Sequence, residues 1–277
     1  MLAFSSLLGN VEGQNIYRIW YDKPASYWEE ALPVGNGRIA AMVFGDPQLE
    51  QIQLNEETVS AGSPYQNYNE EAKTALPEMR RLIFEGKYEE AQNMAATKIL
   101  SQVGNEMPYQ TVGRLNIRYQ DHKKVNNYYR DLDISNAVAV ARYEVDGVEF
   151  TEETFASFTD QLVIRHIKAS KPGTINCELF FNTPMRDPKR SIYGKKGLRL
   201  EGITHGSRYF PGKVHYCADL DVKHKGGKVI TANDTLLSVQ GASELTLYIS
   251  MATNFVNYKD ISGDPYQRNK AYLKNAA

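Results

Sequence analysis

EALPVGNGRIAAMVFGDPQLEQIQLNEETVSAG, residues 30–62, decides how the rest of the chain is read. Asn36-Gly37 falls between apolar residues, and both residue types tolerate the positive φ of a tight hairpin turn. Ile39 to Phe44 reads as a buried strand. Gly45-Asp46-Pro47 is a second turn, because proline cannot donate to a ladder and glycine reaches unusual φ. Leu49, Ile52 and Leu54 mark the return, so the stretch predicts a hairpin of Arg38 to Phe44 against Leu49 to Leu54. It ends in a polar cluster, Asn55, Glu56 and Glu57.

Upstream, Ile16 to Tyr21 reads as a short strand and Pro24 to Trp28 as a loop. Downstream the apolar period switches to three and four residues, predicting two helices over Glu70 to Phe84 and Lys87 to Leu100. Their stripe is an ordinary core stripe, which favours a buttress over a lid. From Thr111 strand follows strand: Leu115 to Tyr119, Asn127 to Leu132, Val138 to Val145, Val148 to Ser157, Leu162 to Ala169, Thr174 to Asn182, Leu198 to Ile203, Val214 to Val222 and Leu245 to Ala252. Asp146-Gly147 is a two-residue hairpin turn, while Lys171-Pro172-Gly173 and Lys225-Gly226-Gly227 break other runs. The basic segment Pro184 to Lys196 reads as a mobile, solvated loop, and Asp264-Pro265 starts a last helix. The fold class is mostly β: a large antiparallel β-sandwich with a short inserted helical pair and a C-terminal helix.

Composition narrows the partners. Thirty-two Lys and Arg against 33 Asp and Glu leave no field for nucleic acid or an anionic membrane. No apolar run approaches a membrane span. Eighteen Tyr, ten Phe and two Trp suit cross-strand packing first and stacking on sugar rings second. The two cysteines, Cys177 and Cys217, are too few for a disulfide framework; they read as free core thiols, with a bridge left open. Residues 1–15 begin with MLAFSSLLGN, which resembles the end of a secretory signal without its basic region, the other reading being a disordered start or first strand. On the signal reading the protein is exported, periplasmic or extracellular.

Candidate chemistry is sparse. Glycoside hydrolysis ordinarily needs two carboxyl groups on opposite sides of the scissile bond. Glu56-Glu57 and Glu152-Glu153, if extended, point to opposite faces of a sheet, so each pair reads as one exposed and one structurally engaged residue. His215, Cys217 and Asp219 share one strand face but lie too nearly in line to close a tetrahedral metal site. No nucleophile elbow, dinucleotide loop or phosphate loop is present, so no catalytic residue, metal or cofactor is assigned. The residues singled out for recognition are Trp28, Asn36, Arg38, Asn55 and Glu56, at turns and strand ends where position is set by the scaffold.

Several ordered motifs resemble one family. Ala31 to Arg38, Met42-Val43-Phe44-Gly45, Gln53 to Thr58, Pro108-Tyr109-Gln110 with Gly113 and Leu115, Tyr129 to Asp133, and Phe155-Ala156-Ser157 with Asp160-Gln161 look like the N-terminal domain of glycoside hydrolase family 95, the α-L-fucosidases. The resemblance implies a non-catalytic β-sandwich over residues 16–256 and, over 257–277, the start of a helical linker. In that family the linker leads to an (α/α)6 catalytic barrel, which this chain lacks and which carries the acid and base machinery acting on fucosylated glycans. The five recognition residues are then expected to face that barrel or edge its cleft. A free-standing carbohydrate-binding module is the rival reading.

Overall fold

The computed structural model describes residues 17–101, 107–206 and 210–275; the signal-like stretch over residues 1–15 lies outside them. Strands and helices are numbered in chain order. A nine-stranded antiparallel sheet runs, in spatial order, β1 (Arg18–Tyr21), β6 (Val125–Asp133), β7 (Val138–Val145), β8 (Val148–Ser157), β9 (Leu162–Ala169), β16 (Glu244–Thr253), β13 (His215–Lys225), β12 (Gly197–Ile203) and β11 (Arg186–Tyr193). A seven-stranded sheet runs β14 (Lys228–Asn233), β15 (Leu236–Ala242), β10 (Ile175–Asn182), β5 (Gly113–Tyr119), β4 (Leu49–Glu56), β3 (Ile39–Val43) and β2 (Leu32–Gly35). Leu54, Ile117, Leu179 and Leu237 of the second sheet share one core with Val163, Leu220, Leu247 and Ile249 of the first. The architecture is the expected antiparallel β-sandwich.

The quoted stretch forms three strands where two were expected. Leu32–Gly35 pairs with β3, and β3 pairs with β4 from Ile39↔Glu56 to Val43↔Ile52. Proline is tolerated in β2 because this strand is the sheet edge, where a missing N–H breaks no ladder. On β4 the inward positions are Glu50, Ile52, Leu54 and Glu56, so an apolar pair is bracketed by two buried carboxylates. The Asp146-Gly147 turn joins β7 to β8 with both residues at positive φ, 50° and 74°, as a primed turn requires.

Two expectations are corrected. The segment Pro184 to Lys196 is not a loop: Arg186–Tyr193 is β11, the far edge of the nine-stranded sheet. Its charges and Pro188 suit an edge that must not recruit another strand. The inserted helices α1 (Ala72–Phe84) and α2 (Tyr88–Met94), the latter continued by a π turn over Ala95–Ile99, pack chiefly on each other, so among the described residues their main contact is not with a sheet they would buttress. Leu82 and Ala91 are buried between them, while Phe84 stays 88% exposed.

Helix α3 (Pro265–Asn275) starts at an Asp264 cap, whose Oδ1 accepts the N–H groups of Tyr266 and Gln267 at 2.9 and 3.2 Å. It lies on β13 and β16. Asn269 donates to the Cys217 carbonyl at 2.9 Å, and Arg268 donates to the carbonyls of Thr253 and Phe255 at 2.9 and 2.6 Å. Both cysteines are free and buried.

Candidate functional site

The turn between β2 and β3 closes through a side chain. Asn36 Oδ1 accepts the N–H groups of Arg38 and Ile39 at 3.0 and 2.9 Å, and only Gly37 takes a positive φ, 95°. The turn is therefore an Asn-closed loop and not the primed two-residue type. The Asn36 amide then crosses to the other sheet, donating to the Ser157 carbonyl at 2.9 Å.

Arg38 extends this link. Its Nε donates to Gln161 Oε1 at 2.6 Å, its Nη1 to the Met251 carbonyl at 2.8 Å, and its Nη2 to the Gln161 carbonyl at 3.3 Å. Nη1 also lies 3.4 Å from Glu56 Oε1, and the guanidinium sits 4.6 Å over the Tyr272 ring of α3. One arginine thus ties the hairpin of one sheet to the β8–β9 turn, to β16 and to α3. Gln161 holds a positive φ of 61° to meet it.

Glu56, 4% exposed, accepts the Thr58 N–H at 2.8 Å and the Thr58 hydroxyl at 2.6 Å. Burial raises its carboxyl above the ordinary range, against the Thr58 donors and Arg38. The Thr58 and Thr253 hydroxyls are hydrogen-bonded to each other, stapling the end of β4 to the end of β16. Asn55, on the opposite face of β4, is half-buried beside Tyr109, whose hydroxyl donates to the Glu56 carbonyl at 3.0 Å.

The structure brings Asn36, Arg38 and Glu56 into one network and sets Asn55 beside it. Trp28 is elsewhere. It is 50% exposed in a 3-10 turn, in a hollow with Phe44, Gln51 and Arg114 at the other end of β3. The Arg38 network borders a hollow of about 210 Å³ that shares Glu57, Thr58 and Phe255 with a larger cleft of about 670 Å³. Sequence reasoning missed the cleft residues Tyr65 and Tyr258 and the partners Gln161, Thr253 and Tyr272. The Asp160-Gln161 motif was the available signal for one of them.

A second polar cluster lies in the core. Arg165 is wholly buried, bonded to Glu152 and to Thr154 Oγ1 at 2.7 Å, and 3.6 Å from Glu50. The Tyr119 and Tyr143 hydroxyls both donate to Glu152, Tyr143 at 2.8 Å. Two carboxylates share one guanidinium without solvent, and burial pushes the Glu50 carboxyl up to about 7. Sealed between sheets, these groups cannot meet a substrate. On the outer face of β13, Asp219 is held by Arg199 at 2.6 and 2.8 Å, and no group of three metal-ligating side chains comes together among the described residues.

Residues 19–258 match the family model described as glycosyl hydrolase family 65, N-terminal domain. Alpha-L-fucosidase 2 of Arabidopsis thaliana is 31% identical over 271 residues, covering 88% of this chain and 31% of the relative. Probable alpha-fucosidase A of Aspergillus niger is 26% identical over 253 residues, covering 86% and 30%. The chain thus spans about a third of the length of these relatives. A putative kojibiose phosphorylase from the human microbiome shares the fold at a TM-score of 0.50 and 10% identity, covering 94% of this chain and 35% of that one. The fucosidase relatives agree with the resemblance read from the hairpin motifs. With most of its length matched, the chain belongs to the family of glycosyl hydrolase family 65 N-terminal domains.

Proposed function

We propose that the chain is the non-catalytic N-terminal β-sandwich of an α-L-fucosidase-like glycoside hydrolase, packing on and supporting a helical (α/α)6 barrel of the same polypeptide that hydrolyses α-L-fucosyl linkages with inversion. The family match over residues 19–258 carries this reading. Engagement of the inward carboxylates supports it: Glu56 is committed to Thr58 and Arg38, and Glu50 and Glu152 to Arg165. Helix α3, clamped beside the hairpin, is the natural bridge to the next domain. The experiment is hydrolysis of an aryl α-L-fucoside, by this chain and by the polypeptide read through past Ala277. Turnover is expected only from the longer protein. The reading fails if no helical domain follows in the reading frame, or if the chain alone turns over and loses activity when one of its own carboxylates is changed.

A further inference from the structure

The cleft beside the Arg38 network has no role so far. Its volume, about 670 Å³, falls within the roughly 300–1,000 Å³ of small-molecule sites. Tyr65, Phe255 and Tyr258 give it aromatic walls. Tyr65 is braced by Phe210, with ring centroids 4.3 Å apart, and Tyr258 is 74% exposed. Glu57, Thr58, Ser60, Ser63 and Asn67 are its polar lining residues. The Glu57 backbone is fixed by its N–H to the Arg38 carbonyl at 2.8 Å, and alternation on the strand end turns Glu56 inward and leaves Glu57 exposed. Among the described residues the Glu57 carboxylate has no hydrogen bond or ion pair.

This lining selects a ligand class. Among the described residues no Lys or Arg lines the cleft and Glu57 brings a negative charge to it, which disfavours phosphates, nucleotides and acidic sugars. Aromatic walls combined with a carboxylate and hydroxyl acceptors in one lining suit a neutral ring bearing C–H groups on its face and hydroxyl donors on its rim. We infer that the cleft binds a neutral sugar ring of the glycan, with Phe255 and Tyr258 against its C–H face and Glu57 accepting from its hydroxyls. The inference rests on the glycoside-hydrolase reading and gives this domain a direct part in holding the substrate.

The test is methyl NMR on the full 277-residue chain with labelled methionine, titrated with 2′-fucosyllactose. Of the described methionines only Met107 lines the cleft. A saturable shift confined to the Met107 methyl is expected, with a dissociation constant on the order of 1 mM. Glu57→Gln should weaken it about tenfold and Tyr258→Ala about fivefold, with melting temperatures unchanged because both side chains are exposed. The inference is overturned by no shift at saturating sugar, by a shift at other methionines, or by equal binding in both variants. It is also overturned if the shift disappears in the longer polypeptide, since the cleft is then a domain contact. A helical domain downstream with a silent cleft sinks this inference alone; absence of that domain sinks the enzyme reading however the cleft responds.

Discussion

Glu50→Gln should remove a pH dependence that the buried core builds into the fold. Glu50 is wholly buried, its Oε1 accepts the Phe44 N–H at 3.2 Å, and its Oε2 has no hydrogen-bond partner among the described residues. Its nearest cation, Arg165 at 3.6 Å, is already engaged by Glu152. A carboxyl that ionises at about 7 in the fold and near 4.5 in the unfolded chain binds its proton more tightly when folded. The stability from this group is therefore complete below about 4.5 and is lost as pH rises toward and through about 7. At roughly 1.4 kcal/mol for each pH unit between those values, the loss is at most about 3 kcal/mol. Glutamine cannot ionise. Its amide costs on the order of 1–2 kcal/mol by facing the guanidinium with a donor, but that cost does not vary with pH. Urea denaturation at pH 5, 6, 7 and 8, followed by far-ultraviolet circular dichroism, gives the difference between native chain and variant, from which other titrating groups cancel. That difference should move by about 2.5 kcal/mol in favour of the variant from pH 5 to 8. Parallel curves would refute the reasoning.

Arg38→Ala should cost about 2–3 kcal/mol, because it leaves Glu56 buried without its cation and frees the Met251 carbonyl; an unchanged melting temperature would rule out the clamp. Arg38→Lys should recover little of it, since an ammonium has no planar fork to bond Gln161 and Met251 while lying over Tyr272. Burial pushes the thiols of Cys177 and Cys217 well up, so a thiol reagent at pH 8 should find neither in the native chain and both in denaturant. Replacing Lys189 and Arg190 by valine on edge strand β11 should leave the circular dichroism unchanged and produce concentration-dependent light scattering; a monomeric variant would show that those charges do not protect the edge.

The central meander was legible to the residue. Val138–Val145, Val148–Ser157 and Leu162–Ala169 combine β-branched and aromatic residues, alternating over much of each strand, with an Asp-Gly turn between the first two. Strands with little apolar surface were not legible. β11 and β14 are edges dominated by exposed polar residues, and β2 carries a proline that only an edge accepts. At the site, Asn36 and Arg38 could be read as turn residues and Glu56 as a strand end. Their partners could not. Gln161 and Met251 lie more than a hundred residues away and meet Arg38 only once the sandwich closes. The core charges were partly available: counting along β4 puts Glu50 on the face of Ile52 and Leu54, the sign of a buried carboxylate needing a partner.

The clamp and the cleft are one construction. Glu57-Thr58 at the end of β4 and Thr253 to Phe255 at the end of β16 come from different sheets, and both segments border the hollows. The Thr58–Thr253 hydroxyl pair and the Arg38 bond to the Met251 carbonyl hold those ends together. Arg268 of α3 then takes the carbonyls of Thr253 and Phe255, where the β16 ladder stops. Two carbonyls that would otherwise need water are satisfied by the helix that leaves the sheet. The direction of α3 and the position of Phe255 in the cleft wall are consequently set by the same bonds. Arg38 holds both through Tyr272 on one side and Met251 on the other. Loss of Arg38 should therefore loosen the cleft wall and the exit helix together, and hydrogen exchange at the amides of residues 253–256 and of α3 should rise in step. Exchange that rises in only one of the two would mean the helix and the cleft are held separately.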